Sequence, residues 1–137
     1  VACAEAWYTR GMKGKGITIF WIVLAVLIVG GFGWTMYAKT LPGKYDGLAQ
    51  CLKDKGAVFY GAFWCPHCQE QKKMFGNSAK LLPYVECSTP DGKNQTQICI
   101  DKGVQSYPTW EFTDGSKLTG EQQPQILAEK AGCEMPQ

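Results

Sequence analysis

The sequence predicts an α/β domain, a central mixed sheet of about four strands flanked by helices, preceded by one transmembrane helix. Three observations carry this prediction. Residues 17–38 form an apolar run without a single charge. Beyond them, short stretches rich in strand formers alternate with stretches of helical periodicity. Finally, Asp114-Gly115 sits between two short strand-like segments as a hairpin turn would.

The apolar run, Ile17 to Ala38, is 22 residues long. At about 1.5 Å per residue it reaches roughly 33 Å, enough for the ~30 Å hydrocarbon core of a bilayer. Trp21, Trp34 and Tyr37 lie toward its ends, where amphipathic rings favour the interface. A signal peptide would have a shorter apolar stretch and a small-x-small cleavage site, and Met36-Tyr37-Ala38 matches this poorly. A buried helix of a soluble protein would need more chain to cover it than is present here. Lys13 and Lys15 precede the run, and Lys39 and Lys44 follow it. With Arg10 this basic excess leans toward an N-terminus on the cytoplasmic or stromal side. The chain opens on Val1, so residues upstream are expected to have been removed or left out.

The expected organisation is an N-terminal flank over 1–16, a transmembrane helix over 17–38, a linker over 39–45 with Pro42 and Gly43, a domain over 46–133 and a tail over 134–137. Of the formal net charge of +2, all lies before the apolar run; residues 39–137 balance eleven Lys against eleven Asp and Glu. A neutral domain has no electrostatic footprint for nucleic acid, which is therefore excluded as a partner. Seven Cys in 137 residues are too many for an ordinary cytosolic enzyme and too few for a scaffold held by disulfides alone.

Asp46 can cap a helix through Lys55, with Leu48, Ala49 and Leu52 on one side and Gly56 stopping it. Residues 57–63, Ala-Val-Phe-Tyr-Gly-Ala-Phe, read as a strand buried on both faces. Trp64-Cys65-Pro66-His67-Cys68 follows, and Pro66 suits the first turn of a helix expected to reach about Leu81, with Lys72, Lys73 and Lys80 on its wet side. Residues 82–87 read as a second strand, 88–94 as a turn-rich loop and 95–102 as a short helix stopped by Gly103. Strands at 109–113 and 117–119 flank Asp114-Gly115, and Pro124 opens a last helix through Lys130.

Cys-Pro-His-Cys carries the chemistry. Thiol–disulfide exchange needs a thiolate that can attack and a second thiol close enough to resolve the mixed disulfide. Free N–H groups and the positive end of the helix dipole favour Cys65 as an anion. Cys68, one turn on, can reach back, so Cys65 is the expected nucleophile and Cys68 the resolving thiol. Pro66 starts the helix without leaving an N–H unpaired. His67 can add positive charge or a hydrogen bond near the Cys65 sulfur, or it can be a plain exposed turn residue.

Over residues 46–133 this order of elements, with Cys-x-x-Cys between the first strand and its helix, resembles the thioredoxin fold. Gly103-Val-Gln-Ser-Tyr-Pro-Thr109 resembles the loop that sets a cis-proline against the active cysteines of that family; an ordinary turn proline is the alternative for Pro108. Phe59 to Phe75 and Leu82 to Ser88 are most similar to the thioredoxin-like domain fused to vitamin K epoxide reductase homologues of bacteria and plastids. The resemblance implies catalysis by Cys65 and Cys68 with support from Trp64, Pro66, His67 and Pro108, and a substrate groove beside Trp64 and Tyr107. One departure stands out. Thioredoxins keep a buried acid six residues before the first cysteine, and this chain has Phe59 there. Its loss favours oxidation or isomerisation over reduction.

Among the other cysteines, a Cys87–Cys99 bridge would close a short loop, and Cys51 with Cys133 could tie the two ends of the domain. The resemblance supports the first pair more than the second, and four free buried thiols are the alternative. Four surplus Cys in about 90 residues suit an oxidising lumen or periplasm. A zinc site of Cys65, Cys68, Cys87 and Cys99 lacks the second close pair such sites have. No metal or other cofactor is expected. Asn94-Gln95-Thr96 matches a glycosylation acceptor, which would matter only in the secretory pathway.

The function expected is a membrane-anchored thiol–disulfide oxidoreductase acting on cysteines of exported or lumenal proteins, as oxidant or isomerase. Its partners would be protein thiols and disulfides, membrane lipid, and a separate membrane redox protein that reoxidises it, because the quinone-reducing module of the fused relatives is missing. The thylakoid membrane is the first expectation for its location, then the bacterial inner membrane, then the endoplasmic reticulum. The alternative is an accessory subunit of a larger, photosynthetic membrane complex, using the fold as a scaffold and Gly30, Gly31 and Gly33 for close helix packing.

Overall fold

The structure is a computed structural model that describes residues 6–136, with side chains from residue 16 onward. The N-terminal flank before Ala6, with Cys3, lies outside the described residues. The chain forms two compact units that divide between Leu41 and Pro42.

The first unit is one helix, α1, Ala6–Thr40. It includes a stretch, Gly16–Thr40, long and apolar enough to cross a membrane, with none of that stretch buried. The helix continues through Lys39 and Thr40, two residues past the apolar run, because nothing in Lys39-Thr40 breaks it before Pro42.

The second unit orders its elements as α2 (Asp46–Asp54), β1 (Val58–Gly61), α3 (Pro66–Phe75), a 3-10 turn (Gly76–Leu81), β2 (Tyr84–Glu86), α4 (Gln97–Asp101), β3 (Thr109–Glu111), β4 (Lys117–Thr119) and α5 (Pro124–Ala131). The four strands form one sheet in the order β2-β1-β3-β4. β1 runs parallel to β2 with Phe59 opposite Tyr84, and antiparallel to β3 with Phe59 opposite Trp110. β3 and β4 close the hairpin, Trp110 opposite Leu118. A mixed sheet with helices packed on it is the thioredoxin-like architecture.

The core explains the element choice. Phe59 and Trp110 stack at 4.8 Å between ring centroids, and the Tyr84 ring meets Phe59 edge-on at 5.2 Å. α2 contributes Leu48, Ala49 and Leu52, and α5 contributes Leu127 and Ala128, all buried. Each of the leucines is worth about 1.5–3 kcal/mol on full burial, and each alanine methyl about 0.8 kcal/mol. Phe59 is itself fully buried in this stack, so the position where thioredoxins keep an acid is filled here by a core aromatic ring.

Most element ends shift by one or two residues from the sequence expectation, and two differences have a local physical reason. The helix after Cys65 stops at Phe75 instead of reaching Leu81 as one α-helix, because Gly76 takes φ +55°, open to a residue without a Cβ, and a 3-10 turn follows. Asp46 stands in the first turn of α2, with Tyr45 at the cap position, and forms no capping hydrogen bond there. Tyr45 N–H instead donates to the buried Ser78 hydroxyl at 2.9 Å. Gly43 lies so close to Ser78 that a Cβ would stand 2.1 Å from its Oγ. The residues just before α2 are thereby fastened to the 3-10 turn.

Candidate active site

The site is built where β1 hands over to α3. β1 ends at Gly61, the chain turns through Ala62 to Trp64, and Cys65 becomes the N-cap residue of α3 in extended conformation, with Pro66 in the first helical turn. Cys65 N–H donates to Ala62 O at 3.0 Å, and Cys65 O accepts the amide of Gln69. The sulfur of Cys65 therefore sits at a helix start whose first amides have no intrahelical acceptor. Cys65 and Cys68 are unbonded, 5% and 0% exposed. Cys65 is nearly buried, and Tyr107 forms a wall against its sulfur.

That wall comes from the loop before β3. The Tyr107–Pro108 bond is cis, and Cys65 Sγ stands 3.7 Å from the Tyr107 carbonyl oxygen. The Tyr107 ring meets the Trp64 ring edge-on at 6.1 Å, and Trp64 is half exposed. Trp64, Cys65, Cys68, Tyr107 and Pro108 are thus brought together.

His67 is exposed, the second of its two readings, and pairs with a carboxylate. It is 70% exposed, and its Nδ1 is 2.6 Å from Glu121 Oε1. Glu121 sits on the segment between β4 and α5, which Gln71 clamps to α3: the buried Gln71 side chain donates to Gln122 O at 2.9 Å and accepts Gln122 N–H at 2.7 Å. The carboxylate offsets the charge that a protonated His67 would offer the sulfur.

The remaining cysteines are bonded as two pairs, Cys51–Cys133 and Cys87–Cys99. Cys51–Cys133 joins α2 to the residue after the Gly132 stop of α5 and takes no part in the site. Cys87–Cys99 closes the loop between β2 and α4, and that loop buttresses both aromatic walls. Trp64 Nε1 donates to Ser88 Oγ at 2.8 Å, and Gln95 Nε2 donates to Tyr107 Oη at 2.9 Å and to Val104 O at 2.7 Å. Cys87 and Cys99 are held by each other, so the four-cysteine metal set does not assemble.

Several side chains around the pair carry no motif. Glu86 Oε2 accepts the Tyr84 hydroxyl at 2.7 Å, and its Oε1 accepts the amides of Phe63 at 3.2 Å and Ser88 at 2.9 Å. Lys72 does not lie on the wet side. It is half buried, with Nζ 3.5 Å from the centroid of the Tyr84 ring. Its place was readable in one respect, since it follows Cys68 by one helical turn. Burial pushes the Cys68 thiol up to about 12, with the Ala62 backbone N–H and the Lys72 charge pulling the other way. Burial also raises the Tyr84 phenol, and its hydrogen bond to Glu86 raises it further.

Over 95 residues the chain is 48% identical to a protein of Arabidopsis thaliana named thiol-disulfide oxidoreductase LTO1. The matched stretch is 66% of this chain and 25% of that protein, so the chain spans about a quarter of that protein's length. No protein-family model matches the chain.

Proposed function

We propose that this chain is a membrane-anchored thiol–disulfide oxidoreductase whose reacting pair is Cys65 and Cys68. It acts on cysteines of exported or lumenal proteins as an oxidant or isomerase. The observation that carries this reading is the position of Cys65: an unbonded sulfur at the N-cap of α3, facing the Tyr107 carbonyl, with a second unbonded sulfur one turn along. The name of the Arabidopsis relative supports the same chemistry.

A substrate segment lies in the groove beside Trp64 and Tyr107, and its main chain pairs with Tyr107 beside Pro108. In the oxidising direction a substrate thiolate attacks the Cys65 sulfur of the Cys65–Cys68 disulfide, and Cys68 leaves as a thiolate that takes up a proton. A second substrate thiol loses its proton, attacks the substrate sulfur of the mixed disulfide, and releases Cys65 as the thiolate. One substrate disulfide forms, and the enzyme holds two more electrons and one more proton, on Cys68, while the second proton from the substrate thiols goes to water. A separate membrane redox partner takes these electrons. Apolar α1 supplies the anchor, and two bonded cysteine pairs suit an oxidising lumen or periplasm, with the thylakoid first among the candidates.

The test is trapping. Cys68→Ser in the native membrane removes the resolving thiol, so mixed disulfides through Cys65 should accumulate and vanish on reduction, while Cys65→Ser traps none. No trapped species, together with a Cys65 that resists alkylation, overturns the reading. Direction follows from the reduction potential of the pair: about −120 mV marks an oxidant, about −180 mV an isomerase and about −270 mV a reductant.

A further inference from the structure

Exchange asks two sulfurs to ionise in turn, and the two are placed differently on α3. Cys65 stands at the helix start, whereas Cys68 lies one turn inside it, fully buried. Burial, with the Cys65 thiol adding to it, pushes its thiol up to about 12 even with the Lys72 charge already pulling it down. The Cys65 share is gone once Cys65 is tied up in a mixed disulfide, which leaves the burial. A buried carboxylate in β1 would relieve this, but Phe59 fills that position and stacks on Trp110.

One cation lies close by, at half-buried Lys72. It follows Cys68 by four residues and so shares its face of α3. A lysine at such a place ordinarily reaches for water. Here Nζ is held 3.5 Å from the Tyr84 ring centroid. The ring and the sulfur meet at Gly61, where a Cβ would stand 2.9 Å from both Cys68 Sγ and Tyr84 Cε2. The ring cannot swing away. Phe59 packs on it edge-on, and its hydroxyl is bonded to Glu86, which the amides of Phe63 and Ser88 hold in turn. The titratable groups that interact electrostatically with Cys68 are Cys65 at the N-cap of α3, Lys72 on α3, Tyr84 on β2, bonded in turn to Glu86, and Tyr107 on the loop before β3.

We propose that Lys72, seated on the Tyr84 ring, supplies the positive charge that lets buried Cys68 ionise and resolve the mixed disulfide, with Tyr84 and Glu86 as positioning residues. This rests on the exchange reading. In the step concerned, Cys68 gives up its proton and attacks the Cys65 sulfur. The bond from Cys65 to the substrate sulfur breaks, and the departing thiolate takes the proton, so the Cys65–Cys68 disulfide and a free substrate thiol remain.

The experiment uses the full, reduced chain in detergent with Cys3→Ser as background, mixed with 5,5′-dithiobis(2-nitrobenzoate). Attack by Cys65 releases a first equivalent of the coloured thiol in a bimolecular phase, and resolution by Cys68 releases a second in a unimolecular phase. Lys72→Met should slow the second phase about tenfold at neutral pH and leave the first within about twofold. The second phase of the variant should keep rising with pH where that of the parent has begun to level. Lys72→Arg should restore most of the rate. An unchanged second phase, or equal slowing of both phases, overturns the role of Lys72 while exchange by the pair stands. A parent chain that releases no thiol at all overturns both.

Discussion

The domain holds three pairs of cysteines in two different situations. Cys65 and Cys68 lie within one turn of one helix, unbonded. Cys51–Cys133 and Cys87–Cys99 join different elements across 82 and 12 residues. A bond within one turn closes almost no chain, so it removes little disorder from the unfolded state and its making or breaking leaves the fold in place. A bond between distant elements removes much. Sequence spacing therefore separates a pair that can be spent in a reaction from pairs whose use would cost the fold.

The sharpest way to break this contrast is to open the long bridge. By the chain-entropy argument Cys51–Cys133 is worth about 4.5 kcal/mol. Replacing both with Ser should lower the melting midpoint of the full chain in detergent by about 20 °C, at about 4–8 °C per kcal/mol for a domain this size. Below that midpoint the rate of exchange at Cys65 should be unchanged, because neither residue touches the site. A loss of exchange in the folded variant would mean that this bridge belongs with the reactive pair.

The short bridge should show a mixed response. Its 12-residue separation gives about 3 kcal/mol, so the double Ser variant should melt about 12 °C lower. The loop it closes also carries Ser88 and Gln95, the partners of Trp64 and Tyr107. Exchange with a peptide substrate should therefore slow severalfold, mainly through a raised KM, while attack on a small aromatic disulfide changes little. Equal loss with both substrates would place the effect at Cys65 itself instead of at the groove walls.

Much of this arrangement was legible because the relevant residues punctuate the chain. Pro66 after Cys65 announces a helix start, Asp114-Gly115 announces the hairpin, and the unbroken apolar run from Ala57 to Phe63 places β1 in the core. What escaped was set by tertiary contact. Gly76 carries no signal that distinguishes a positive φ from an ordinary helical glycine, yet it ends α3. His67 reads as a partner for the sulfur or as an exposed turn residue, and no spacing announces Glu121, which lies 54 residues on and whose segment the Gln71 clamp brings across. Lys72 reads as solvent-facing by periodicity. A ring on β2 reaches it because Gly61 leaves room beside the strand.

The gentlest effect concerns pH and the reduced pair alone. The folded domain raises the Cys68 thiol from an ordinary 9.0 to about 12, chiefly by burial. The folded state thus keeps this proton in a range where the unfolded chain has lost it. Stability must then fall as pH rises from about 9 toward 12, and no contribution is expected below that window. Tyr60, Tyr84 and Tyr107 are also raised by burial and tilt the alkaline limb the same way, so an absolute pH curve cannot isolate the thiol. The difference between two reduced chains can. Cys68→Ala removes the group and keeps the tyrosines, and its melting midpoint should decline less steeply above pH 9 than that of the parent. Parallel slopes would mean that Cys68 ionises in the folded state as readily as in the unfolded chain. Resolution of the mixed disulfide would then need no help from a neighbouring charge.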